Sequence, residues 1–299
     1  MKGLMSSLRH AFYNFNAKSE SMLWRGRRQS SNVDDRRGIS GGGIAVGGGI
    51  LGVIALVVNL LLGGDGDTSQ LPLPGQGNTL TTEQQAAQDS QAAFVKVVLA
   101  ETEDVWNDIF SRAGSDYQEP RLTLFSGSTQ SGCGFASAAT GPFYCPGDLG
   151  IYIDLSFYNE LQNRFGAPGD FAMAYVIAHE VGHHIQKLTG KSDEMHSLRQ
   201  RVSEEEYNRY SVMLELQADF YAGVWAHYVK GRGLLERGDI EEALNAANAI
   251  GDDRIQKEAQ GYAVPETFTH GTSAQRMYWF KRGYESGDIR QGDTFSGEQ

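Results

Sequence analysis

Apolar positions recur with helical period over several stretches of this chain. Phe171, Ala174, Ala178, Val181, Ile185 and Leu188 follow one another at steps of three and four, the spacing of one buried helix face. Asp170, after Pro168-Gly169, reads as the N-cap and Gly190 as the C′ residue. A longer helix is predicted over 204–230, opened by a Ser203/Glu206 capping box and ended at Gly231. A third is expected over 82–113, where Phe94, Val97, Val98, Val105, Ile109 and Phe110 share a face, and a short one over 240–249 behind Asp239 and Glu242. Segments 121–125 and 151–155 read as strands. The second precedes the helix at 171, so it either pairs with extended substrate or only completes a small sheet. The fold class is α+β, mostly helical with a small sheet.

Residues 44–62 break this pattern: they are apolar or glycine throughout, apart from Asn59, and carry no charge. As a helix they would be about 28 Å long, close to a bilayer's hydrocarbon thickness. Arg25, Arg27, Arg28, Arg36 and Arg37 precede the run, and no Lys or Arg follows until Lys96. The positive-inside rule then predicts a single-pass protein of a bacterial inner membrane, with the N-terminus cytoplasmic and the body outside. The expected organisation is a basic cytoplasmic segment 1–43, a transmembrane helix 44–62, a flexible Gly/Pro/Thr-rich linker 63–81 and a catalytic domain 82–299. Charge is divided accordingly: residues 1–64 hold eight Lys/Arg against three Asp/Glu, and residues 65–299 hold 18 against 34. So acidic a body excludes nucleic acid as its partner.

The chemistry sits on the helix at 171. His179-Glu180-Val181-Gly182-His183 reads H-E-x-x-H. Residues four apart share a helix face, so both imidazoles reach one metal ion, with Glu180 between them as a general base. On the helix at 204–230, Glu215 and Asp219 are four apart among apolar neighbours. Glu215 is assigned as third ligand, and Asp219 as acceptor for the other N–H of a ligating imidazole. His184 points about 100° away and is read as structural. His10, His196 and His227 are left without a role.

H-E-x-x-H followed by E-x-x-x-D resembles the gluzincin zinc peptidases. Further segments are similar to the bacterial YpfJ-like family of neutral zinc metallopeptidases: 24–30 (WRGRRQS), 32–37 (NVDDRR), 141–146 (GPFYCP), 152–158 (YIDLSFY), 177–184 (IAHEVGHH), 215–219 (ELQAD) and 269–273 (THGTS). The resemblance runs from Met22 onward and leaves residues 1–21 outside it, either as a true extension or as an upstream start. It implies a zincin-like domain, Zn²⁺ as cofactor and a peptide or protein substrate. It also implies that His270 stabilises the oxyanion of the reaction and that Arg276 pairs with Asp219 or another acid. The competing class is a non-catalytic envelope protein that keeps zinc as a binding or scaffold module, and the intact Glu180 argues against it. Cys133 and Cys145 are the only cysteines. In an oxidising compartment they would form a disulfide; free thiols or ligands of a second metal are the other readings.

Overall fold

The computed structural model describes residues 22–37 and 81–296. The apolar run 44–62 and all but the last residue of the linker lie outside the described residues. Among the described residues, no helix is long and apolar enough to cross a membrane.

The architecture is α+β. Among the described residues, eight α-helices accompany a four-stranded sheet and a separate hairpin. The helices are α1 (Thr82–Arg112), α2 (Phe157–Asn163), α3 (Asp170–Leu188), α4 (Lys191–Leu198), α5 (Glu204–Gly231), α6 (Asp239–Ala249), α7 (Asp252–Gln260) and α8 (Ser273–Ser286). The sheet order is β1 (Val33–Asp35), β2 (Arg121–Phe125), β6 (Gly150–Asp154), β5 (Phe143–Cys145). β1, β2 and β6 run parallel, and β5 is antiparallel to β6. The hairpin is β3 (Ser128–Ser131) with β4 (Gly134–Ser137). The strand before α3 is therefore an inner strand, flanked by β2 and β5. Both sides of β6 are already hydrogen-bonded; the edge strands are β1 and β5, and β5 is the one that packs on α3.

α3 is the centre of the core. Every residue from Phe171 to Gly182 is buried, as expected of a helix that is apolar nearly all round. It packs on α5, α6 and α1. Gly169 rather than Asp170 occupies its N-cap position, and Asp170 is the first helical residue. The Asp170 carboxylate accepts from Met22 N–H (3.2 Å).

Two glycine contacts set the helix spacing. A Cβ at Gly182 would lie 2.8 Å from the Ala218 carbonyl oxygen, so α3 and α5 cross backbone to backbone. A Cβ at Gly223 would meet Phe280 O at 2.0 Å, and one at Gly283 would meet Phe220 O at 2.1 Å. α5 and α8 thus touch through paired glycines.

Residues 22–37 belong to this body, which corrects their assignment to a segment separate from it. β1 pairs with β2 in register, Ser30 N–H donates to Lys96 O (2.9 Å), and Leu23 N–H donates to Leu234 O (2.9 Å). Four of the five arginines taken as a topology signal are ion-pair partners: Arg27 with Glu101 (2.9 Å), Arg28 with Glu103 (2.8 Å) and Asp104 (2.7 Å), Arg36 with Asp34, and Arg37 with Asp35 (2.7 Å) and Asp89 (3.1 Å). Glu101 and Glu103 are buried, so the arginines satisfy charges of the fold. Two strands in one ladder cannot face each other across a hydrocarbon layer about 30 Å thick. Residues 22–37 and 81–296 therefore lie on one side of any bilayer.

Gly223→Ala is expected to lower stability by about 1–3 kcal/mol, the range for overpacking a closed contact. Urea unfolding measures it, and a shift under about 0.5 kcal/mol would show that the α5–α8 contact is looser than described.

Candidate active site

α3 places His179 and His183 one turn apart on the face toward α5, with Glu180 beside them. Because α5 crosses at Gly182 and Ala218, Glu215 arrives one turn before the crossing and meets both rings. His179 Nε2 is 3.2 Å from Glu215 Oε2, and His183 Nε2 is 3.4 Å from Glu215 Oε1. One donor atom from each of the three lies within 4.8 Å of the others.

The second nitrogen of each ring is anchored. His179 Nδ1 is 2.8 Å from Asp219 Oδ1. Asp219 is completely buried and also accepts from the Tyr175 hydroxyl (2.5 Å) and from Arg276 through Nε (2.8 Å) and Nη2 (3.0 Å). His183 Nδ1 is 2.9 Å from Gln186 Oε1, and the Gln186 amide in turn donates to Leu214 O (2.6 Å). With both Nδ1–H groups so engaged, both Nε2 atoms turn to the same point. Tyr175 and Gln186 are absent from the sequence reading. Their spacing, four before His179 and three after His183 on the same helix, is the signal that would have found them.

The charges are tightly coupled. Burial alone would raise the Asp219 carboxyl, but Arg276 and His179 outweigh it and hold the group down at about 2. Burial alone would lower His179, but Asp219 and Glu215 raise it to about 10. Glu215 is opposed by burial yet held well below its ordinary value by His183 and His179. Burial pushes Glu180 up.

Two imidazole nitrogens and one carboxylate oxygen form the donor set that zinc takes in catalytic sites, three protein ligands rather than four. They lie on the floor of a cleft of about 800 Å³. Glu180 and Tyr144 line the same cleft, as does Phe143 of edge strand β5. His184 lies off this site. Its Nε2–H donates to Gln118 O (2.6 Å), so Nδ1 accepts from the Tyr144 hydroxyl (3.1 Å), which docks β5 on α3. Cys133 and Cys145 are bonded, tying the end of β5 to the β3–β4 turn.

His270 lines the cleft but is not among the three clustered donors. Its Nδ1 is 3.2 Å from Asp252 Oδ1, and Asp252 Oδ2 accepts from the backbone N–H of Thr269 (2.7 Å), His270 (2.6 Å) and Gly271 (3.1 Å). Asp252, which fixes the 269–271 turn, was invisible in the sequence because it is 18 residues from His270.

Glu215→Ala is expected to abolish stoichiometric metal binding. Asp219→Ala should weaken it by about 10–100-fold, the usual cost of losing a partner behind a ligand. Metal analysis after dialysis at fixed free zinc separates the two; a greater loss from Asp219→Ala would invert the assignment.

The family described as "Putative neutral zinc metallopeptidase" matches residues 22–295. The uncharacterized protein YpfJ of Escherichia coli K12 is 50% identical over 285 residues, covering 92% of this chain and 99% of that protein. The uncharacterized protein Rv2575 of Mycobacterium tuberculosis H37Rv is 46% identical over 191 residues, 60% of this chain and 64% of its own length. No solved structure gives a significant match. With its match spanning almost every described residue and a relative at half identity over nearly full length, the chain belongs to this family of neutral zinc metallopeptidases.

Proposed function

We propose that the protein is a zinc peptidase that hydrolyses an extended peptide segment laid along β5. The observation that carries this reading is the convergence of His179 Nε2, His183 Nε2 and a Glu215 oxygen on the floor of an open cleft that Glu180 also lines. A purely structural zinc site takes four protein ligands and needs no cleft and no base. His179, His183 and Glu215 would hold the ion. When bound, zinc supplies Lewis acidity, polarising the scissile carbonyl and making water a nucleophile near neutral pH. Glu180 takes the proton of the attacking water on its carboxylate and returns it to the leaving amine. The His270 imidazole, oriented by Asp252, donates a hydrogen bond to the oxygen that gains charge. Asp219, clamped by Arg276 and Tyr175, keeps the His179 ring in one tautomer. β5 offers its free backbone edge to the substrate, and the Tyr144–His184 bond and the disulfide hold that edge in place.

Membrane attachment enters the proposal through residues 44–62, with both flanks of that run on the side of the body. The Cys133–Cys145 bond supports an oxidising, extracytoplasmic compartment for it.

Glu180→Gln is expected to keep the metal and to lose at least 10²-fold in turnover of a peptide library, the lower end for a general base. Equal turnover in both forms would remove Glu180 from the mechanism. Asp252→Asn should reduce kcat by about tenfold or more while leaving metal content unchanged; a loss of metal instead would make the pair structural. For topology, a membrane-impermeant maleimide should label Leu23→Cys and Ile289→Cys alike on spheroplasts. Labelling of only one would sink the same-side arrangement, and labelling of neither would place the body in the cytoplasm.

A further inference from the structure

A second group of acids lies away from the zinc site. Asp170, Asp239 and Glu242 meet where α3 and α6 begin, with one oxygen of each within 4.8 Å of the others. Their hydrogen bonds come from backbone amides alone: Met22 N–H to Asp170 Oδ1 (3.2 Å), Phe171 N–H to Glu242 Oε2 (3.0 Å) and Glu236 N–H to Asp239 Oδ2 (2.8 Å). Asp239 is fully buried and its Oδ1 has no hydrogen-bond partner. The Tyr158 hydroxyl, also buried and without a partner, lies in the field of Asp170. Among the described residues, no lysine, arginine or histidine faces the three. Burial therefore pushes all of them up, Asp239 to about 6 and Glu242 to about 7. Three carboxylates in contact, Asp239 fully buried and Asp170 and Glu242 half-buried, call for a cation.

One nitrogen already reaches the cluster, and it belongs to the chain itself. Met22 is 2% exposed and its backbone nitrogen is the one bonded to Asp170. The family match also begins at residue 22, which is a methionine. We propose that the functional chain begins at Met22 and that its free α-ammonium is held by Asp170, Asp239 and Glu242. As an amide, the Met22 nitrogen brings one N–H and no charge. As an ammonium it brings three N–H groups and a full positive charge, a match for three carboxylates. The pairing has a positional consequence. Asp170 is the first residue of α3, which carries His179 and His183, so the ammonium would tie the start of the active-site helix to the strap at 22–37.

The test begins with the intact mass of the protein made from its own gene, expected to start at Met22 with an unblocked amine. Two chains are then compared, one starting at Met1 and one at Met22, each with and without Asp170→Asn. The Met22 chain should melt on the order of 5 °C higher near pH 7.5, and Asp170→Asn should remove most of that difference; Glu242→Gln replaces it if that variant does not fold. The pH dependence has a definite sign. In the Met1 chain the folded carboxyl values lie above their unfolded values of about 4, so stability is lost as pH rises from there toward 7. The folded ammonium lies above its unfolded value of about 7.7–8.0, so its contribution is present below that range and is lost as pH rises through the raised value. The gap between the chains should be small near pH 4.5, widest near neutrality and closed again in alkaline solution. Glu236, Glu241 and Tyr158 are the other titratable groups facing the cluster, and none is cationic. Residues 1–21 retained on the folded, metal-loaded protein would overturn the proposal. So would equal melting of the two chains, or a calcium-dependent, chelator-sensitive rise of equal size in both, which would assign the cluster to a metal ion.

Discussion

The site depends on one buried charge. Asp219 has no exposed surface, and a carboxylate there is tolerable only because Arg276, Tyr175 and His179 surround it. Removing one partner from such a pair leaves the other buried and uncompensated, typically at about 3–5 kcal/mol. The same four side chains come from α3, α5 and α8, so the interaction that orients the His179 imidazole also fixes how three helices meet. Electrostatics of the site and packing of the core are here one constraint.

That constraint explains what could be read from sequence. His179, His183, Glu215 and Asp219 stand at four-residue spacing on strongly periodic helices, and local periodicity is the most readable property of a chain. The convergence of the two helices was not readable, since it rests on Gly182 meeting Ala218 across 36 residues of sequence. Asp252 escaped for a similar reason: nothing at position 252 marks it as the support of a turn at 269–271. The strands β1, β3, β4 and β5 are three or four residues long, too short to show alternation. β6 was found, but its place in the sheet was not, because strand order is a long-range property.

The arginine-rich segment carries a different lesson. A cluster of positive charge next to an apolar run has two physical readings: attraction to a cytoplasmic face, or partners within the fold. Sequence shows the cluster and not the acids that answer it. Glu101, Glu103, Asp104 and Asp89 on α1 are those acids, and their pairing with the strap requires no membrane. The strap's packing also supplies the Met22 side chain and β1 to the body, so the domain starts well before the segment that periodicity alone would have chosen.

The paired glycines of α5 and α8 bear on how substrate gets in. Helices in backbone contact have no side-chain layer through which to slide, so α5 and α8 move as one piece, and α3 is joined to them at Gly182. The floor of the cleft, with His179, His183 and Glu215, is therefore its stiff side. Another side of the cleft is lined by the short edge strand β5 and the turn at 139–142 before it, tied back by the single Cys133–Cys145 bond, with few buried apolar side chains of its own. Breathing of the cleft falls to that rim, the less stable part of the structure. A longer or bulkier peptide would be admitted by displacing the rim, leaving the spacing of His179, His183 and Glu215 unchanged.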